Sequence, residues 1–235
     1  RTMGMAEGIS GKDIFSDVPS SHWAYAYVTA AYQLGIVNGM DSKTFAPDTP
    51  LTYEQAVKMV VSALGYTVQA ESLGGYPTGY LSKASQLGIL KGTSAEGTSI
   101  SRGTMAILLY NSLDVELLQR DSYGTDKGTY STGKDTLLSK YLKIKKVTGI
   151  LSANYFTTIS APSRAIRQGE VALGTDVYDA GTTGADDMIG RKVTIYAKDY
   201  EDSSVPAILA VVPAQASKVV SVSATDITVN TTKTK

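Results

Sequence analysis

The phrase "QLGIVNG" at residues 33–39 returns as "QLGILKG" at residues 86–92, and an internal repeat determines what counts as a folding unit before any single residue is weighed. Ahead of the first phrase stands "HWAYAYVTAAY", in which Trp23, Tyr27, Val28, Ala31 and Leu34 recur at helical spacing and predict one apolar stripe. Ahead of the second stands "YPTGYLSKAS", with Tyr80, Leu81, Ala84 and Leu87 in the same relation. Gly35 and Gly88 then end the two helices, because glycine takes the left-handed conformation of a helix C-terminus at little cost. After each comes a turn-rich stretch and a hydroxyl residue that opens a second helix. In the first copy this is Thr52, with Gln55 three residues on in the capping-box arrangement; in the second it is Ser101, before "RGTMAILLYNSLD". Helix, loop, capped helix is written twice. The first loop is four residues longer than the second, a difference that exposed connections absorb readily.

Residues 15–66, "FSDVPSSHWAYAYVTAAYQLGIVNGMDSKTFAPDTPLTYEQAVKMVVSALGY", resemble an S-layer homology motif: an F-x-D-V start, a His-Trp pair, a G-I-V-x-G turn, an F-x-P loop and a T-R-A-E-like helix start follow in order. Residues 14–66 are read as one motif, 67–118 as a diverged second copy, and 1–13, opening "RTMGMA", as the tail of a preceding one. The resemblance implies an all-α helical module, usually of three motifs about a pseudo-threefold axis, that anchors exported bacterial proteins to secondary cell-wall polysaccharide. Its ligand is an acidic, often pyruvylated, sugar held in grooves between motifs. The residues it carries onto this chain as glycan contacts are Asp17, Trp23 and Arg102, joined by Glu54 in the first turn of the capped helix. It also implies an extracellular location at the cell wall, no cofactor, no metal, and other surface-protein chains as partners. Two departures weaken the match. Tyr53 stands where the family has arginine, losing a planar fork that pairs doubly with carboxylate, and the second copy lacks both the F-x-D-V start and the tryptophan.

Each nominated residue has a plainer role open to it. Trp23 at the start of an amphipathic helix suits packing, Asp17 suits an Asx turn or a cap, His22 suits local capping, and Arg102 suits a solvated surface charge. Glu54 favours the helix dipole whether or not it meets a ligand.

Beyond "LDVELLQRD" the composition changes. Residues 119–145, with the glycine-rich "SYGTDKGTYSTGKDT", read as a linker carrying a short helix in "TLLSKYLKI". Then "KKVTGILSANYFTTIS", "EVALG", "DVYDAG", "RKVTIYAKDY" and "AILAVVP" show the β-branched and aromatic alternation of half-buried strands, with one helical turn in "TTGADDMIG" ended by Gly190. Five strands and one small helix suit a compact all-β barrel of the OB or SH3-like type over 146–213, an open sandwich being the alternative. Residues 214–235 add a further strand-like run. The fold class expected is therefore α+β multidomain, a helical repeat module followed by a small barrel.

Composition narrows the function from the other side. Lysine plus arginine equals aspartate plus glutamate, 22 against 22, so no net field favours nucleic acid. Cysteine is absent and histidine occurs once, which removes thiolate chemistry and leaves little for zinc or imidazole catalysis. Fifteen tyrosines against three phenylalanines and one tryptophan suit glycan contact and domain interfaces alike. No apolar run approaches the roughly 20 residues of a membrane helix. The carboxylate pair Asp186 and Asp187 suits a helix N-terminus. A chain opening at Arg1 without a signal segment reads as a piece of something longer. Two functions stay open: a non-catalytic wall-anchoring module, or a spacer of a large surface protein that keeps the helical fold and has lost its groove.

Overall fold

The computed structural model describes residues 13–95, 97–120, 130–214, 219–222, 227–229 and 232–234. The chain divides into two units, Arg1–Leu142 and Lys143–Lys235. The tail expected over residues 1–13 lies almost wholly outside the described residues. Among the described residues no helix is long and apolar enough to cross a membrane.

The first unit holds α1 (Tyr25–Gln33), α2 (Tyr53–Ala63), α3 (Thr67–Ser72), α4 (Thr78–Gln86) and α5 (Arg102–Ser112). The repeated phrase is a repeated helix terminator. At the first copy the Gly35 amide donates to the Tyr32 carbonyl and the Ile36 amide to Ala31; at the second, Gly88 donates to Ser85 and Ile89 to Ala84. This double closure is the Schellman motif, and it requires the left-handed glycine at its turn, φ +67° and +73°. Both caps form as the hydroxyls predict. The Thr52 hydroxyl accepts from the Gln55 amide while the Gln55 side chain accepts from the Thr52 amide, and the Ser101 hydroxyl accepts from Thr104.

The interior is less symmetric than the repeat. One apolar cluster joins Val57 and Val61 of α2, and Leu64 that caps it, to Tyr80 and Ala84 of α4, Leu108 of α5 and Ile89. No residue of α1 belongs to it. That helix packs through Ala24, Tyr25 and Val28 on Phe15 and Val18, with Phe45 against them. The stripe expected on α1 is thus rotated: Trp23 and Leu34 face solvent, and Tyr25 takes the buried place.

The all-α expectation for this unit also fails at its end. Glu116–Arg120 (β1) pairs antiparallel with Tyr130–Thr136 (β2), followed by a π-helical turn, Leu138–Leu142. The hairpin thus crosses from the end of the second motif into the residues read as a linker, where the short helix expected in "TLLSKYLKI" is this π-helical turn. The physical reason lies in Leu117 and Leu118, both buried, which bring β1 onto the α2–α4–α5 cluster. The Leu118 amide donates to the Leu64 carbonyl and the Tyr66 hydroxyl to the Glu116 carbonyl. Covering the cluster removes apolar area from water at about 25 cal/mol per Å².

The second unit is a closed five-stranded barrel of β3 (Ile144–Asn154), β4 (Glu170–Leu173), β5 (Asp176–Asp179), β6 (Lys192–Lys198) and β7 (Ala207–Pro213), in the order β3-β4-β5-β7-β6. The long β3 serves two neighbours. Residues 144–150 pair with β6 and 151–154 with β4, with an irregularity between Leu151 and Ala153 where the strand changes partner. All pairings are antiparallel except β5 with β7. Alternation fills the interior: Val193, Ile195 and Ala197 of β6 are buried beside Leu151, Val171, Tyr178 and Ile208. Ala185, in the short 3-10 turn Ala185–Met188 between β5 and β6, packs against them. Downstream, 219–222, 227–229 and 232–234 form a small antiparallel sheet of three short strands where one run was expected.

Candidate functional site

The first helical motif is organised by its loop. In "TFAPD" Ala46 is held at φ +59°, a conformation an L-residue adopts only when its surroundings impose it. Asp17 supplies the constraint from 29 residues upstream. Its carboxylate accepts from the Phe45 amide at 2.9 Å and the Ala46 amide at 2.6 Å. Those donors, Phe45 foremost, hold the carboxyl below its ordinary 3.8. Asp41 braces the same loop, accepting from the Thr44 hydroxyl and from the Lys43 and Thr44 amides, and is lowered too, the Thr44 hydroxyl first. A carboxylate with a depressed folded value stabilises above its unfolded value and loses that contribution as pH falls through the folded one. Asp17→Asn therefore melts lower than the unchanged chain at pH 7, and thermal scans from pH 7 to pH 2.5 should show the gap narrowing below about pH 3.8. A gap constant across that range would mean the charge is not used.

This bracing shapes a cleft of about 440 Å³. Its walls are the turn at 36–40 that follows α1, the loop at 45–51, the α2 side chains Gln55, Lys58 and Met59, and Tyr76. Lys58 is the only charged side chain among these described lining residues, and its ammonium lies 5.7 Å from the Tyr76 ring centroid. A largely apolar hollow with one cation and one tyrosine ring among its walls is suited to a ring-shaped ligand carrying a single negative charge.

The four residues nominated from sequence stand as follows. Asp17 is half-buried and engaged with the loop amides. Trp23 is 77% exposed, its ring 5.7 Å from that of His22; packing, the plainer role for Trp23, is not the one it has. His22 caps locally, its Nδ1 accepting from the Ala24 amide. Glu54 is half-buried in the first turn of α2 and Arg102 is exposed at the first position of α5. The Ile100 amide donates to the Leu51 carbonyl, which sets these two helix starts side by side. Tyr53, at the position of the missing arginine, hydrogen-bonds Thr93 at 2.8 Å, in the turn that follows the second phrase. None of the four lines the cleft. Lys58 and Tyr76 were missed because the cleft is assembled from segments up to 40 positions apart; the one local hint was a lysine on the half-buried side of a strongly amphipathic helix. Among the described residues no group of three or more Asp, Glu or His is placed to hold a metal.

Residues 14–57 match the S-layer homology domain family. A cell surface protein of Thermoanaerobacter kivui is 32% identical over 199 residues, covering 82% of this chain and 24% of that protein. A middle cell wall protein of Brevibacillus brevis is 30% identical over 223 residues, 86% of this chain and 21% of its own length. A surface layer protein of Brevibacillus choshinensis is 38% identical over 130 residues, 55% of this chain and 11% of its own. The chain thus spans less than a quarter of each of these relatives. The first two alignments are longer than the 142-residue first unit, so the likeness extends into the barrel.

Proposed function

We propose that this chain, which carries an S-layer homology domain and belongs to the bacterial cell surface, is a non-catalytic attachment module whose helical unit binds secondary cell-wall polysaccharide. The observation that carries the reading is the braced cleft: a preformed hollow with Lys58 and Tyr76 in its lining, its loop held by Asp17 and Asp41 through backbone amides. Trp23 and Arg102, both solvent-facing, are the further contacts offered to a long acidic chain, pyruvylated sugars among its candidates. Glu54 orders the start of α2, and Asp17 acts through the loop it holds. Other copies of surface-layer protein are the second class of partner. The barrel is of the OB type on this reading, supported by its strand order, its single parallel pair and the one helical turn before its fourth strand.

One observation favours the spacer instead: Tyr53, in the arginine position, is spent on Thr93. The two readings separate by experiment. Trp23, Lys58 and Arg102 are not part of the buried core, so Trp23→Ala, Lys58→Met and Arg102→Ala should each leave the fold within about 0.5 kcal/mol. Co-sedimentation with polysaccharide-bearing Brevibacillus brevis walls should fall about fivefold or more in the triple variant at unchanged melting temperature. Full retention of binding by that variant would remove the cleft from the account, and failure of the unmodified chain to sediment would leave the spacer.

A further inference from the structure

The connection from β3 to β4 is long and unusually well tied. The Asn154 carbonyl Oδ1 accepts from the Phe156 and Thr157 amides at 2.9 and 2.8 Å, and its Nδ2 donates to the Asp186 carbonyl at 3.0 Å. The Ile159 amide donates to Ser152, and Ser163 to Thr175. At the far end the Arg164 guanidinium forks onto both oxygens of Glu170 at 2.8 Å each, with the Arg167 amide on the same carboxylate. Glu170 is only 8% exposed, so its charge is matched inside the barrel wall. The ion pair holds the Glu170 carboxyl below its ordinary value, Arg164 first.

On this rigid frame Phe156 is 84% exposed and Tyr155 57%, their rings edge to face at 5.1 Å. Beside Tyr155 lies a hollow of about 460 Å³ lined by Asn154, Thr158, Pro162, Arg164 and Ile166. The backbone that carries the two rings is pinned before any ligand arrives, which lowers the entropic cost of binding. The chemistry of the rim selects the ligand. An aromatic face next to the Thr158 hydroxyl and the Arg164 guanidinium matches a pyranose ring, apolar on its C–H face and hydroxylated at its rim. Arg164 is already neutralised by Glu170, so the hollow does not call for an anion, and no cationic track suited to a phosphate backbone lines it.

We infer that the Tyr155–Phe156 turn and the hollow beside it form a second binding site, for a neutral polysaccharide, separate from the helical unit. The site stands whether or not the helical cleft binds acidic polymer. Calorimetric titration of the full 235-residue chain with cellohexaose and with chitohexaose should give saturable binding to at least one. Binding should be about tenfold weaker in Tyr155→Ala/Phe156→Ala and unchanged in Tyr110→Ala, a 63% exposed ring on α5 that lines neither hollow. Both substituted rings are largely exposed, so the double variant should keep its melting temperature. Absence of binding to both sugars, equal binding by the double variant, or tighter binding to a twelve-residue single-stranded oligodeoxythymidylate would each overturn the inference. So would a concentration-dependent dimer that the double variant abolishes, since the rings would then be a contact between copies.

Discussion

Substituting alanine for Gly79 lowers the stability of the helical unit by about 2 kcal/mol, although alanine is the better helix former by about 1 kcal/mol. Gly79 lies in the first turn of α4, where that helix crosses α3. A methyl placed there overlaps the Ala70 carbonyl oxygen and sits 3.1 Å from the Ala70 carbonyl carbon and 3.2 Å from that of Leu73. These neighbours are backbone, not the tip of a flexible side chain, so relief requires the two helices to part. Overpacking of this kind costs roughly 1–3 kcal/mol, more when backbone must move, and it exceeds the propensity gain. Gly103 in α5 supplies the control. It is exposed, and an added methyl would meet only the Ser101 hydroxyl at 3.6 Å, so Gly103→Ala should stabilise by about 0.5 kcal/mol. Urea midpoints for the two variants should move in opposite directions; movement in the same direction would mean the α3–α4 crossing is not as tight as described.

Tyr80→Ala has the larger effect, a loss of about 3–5 kcal/mol. Its side chain is 1% exposed and is the largest of the fully buried ones, at the point where α2 and α4 share an interior. Its hydroxyl donates to Glu71 at 2.7 Å. Burial first, and the Glu71 carboxylate after it, push the phenol up to about 12, so the group stays neutral and donating at physiological pH. Tyr80→Phe keeps the ring and removes the hydroxyl, with its bond to Glu71 and its contacts to Ser62 and Thr67. Glu71 is exposed and rehydrates, so the cost is about 1 kcal/mol. Against a domain stability of about 5–15 kcal/mol, the alanine variant should show partial unfolding below physiological temperature where the phenylalanine variant does not. Near-equal losses in the two variants would mean the ring is not the core of the repeat.

What could be seen in advance divides along a physical line between local and assembled features. The phrase ending at Gly35 and Gly88 and the caps at Thr52 and Ser101 were readable because each closes on residues within five positions. The barrel strands were readable because alternation is also local: β6 buries every second residue. The phase of α1 was not. Nine residues make only two and a half turns, and with Trp23, Tyr25 and Tyr27 side by side periodicity cannot say which ring goes in. The hairpin escaped because "ELLQR" carries two adjacent leucines, both buried, and no clean period of two. Asp17 was nominated as a glycan contact, and its bond to the loop amides could not be read in advance, since its partners are 28 and 29 positions away. Lys58 and Tyr76 had no signal in common until the loop brought them to one cleft.

The central claim, that the helical unit attaches this chain to a wall polymer through a preformed cleft, meets its most direct test on isolated Brevibacillus brevis cell walls before and after the polysaccharide is stripped from the peptidoglycan. The account predicts that the 235-residue chain sediments with intact walls, is lost to the supernatant with stripped ones, and is displaced from intact walls by the released polysaccharide. Equal sedimentation with both preparations, or with neither, would contradict it.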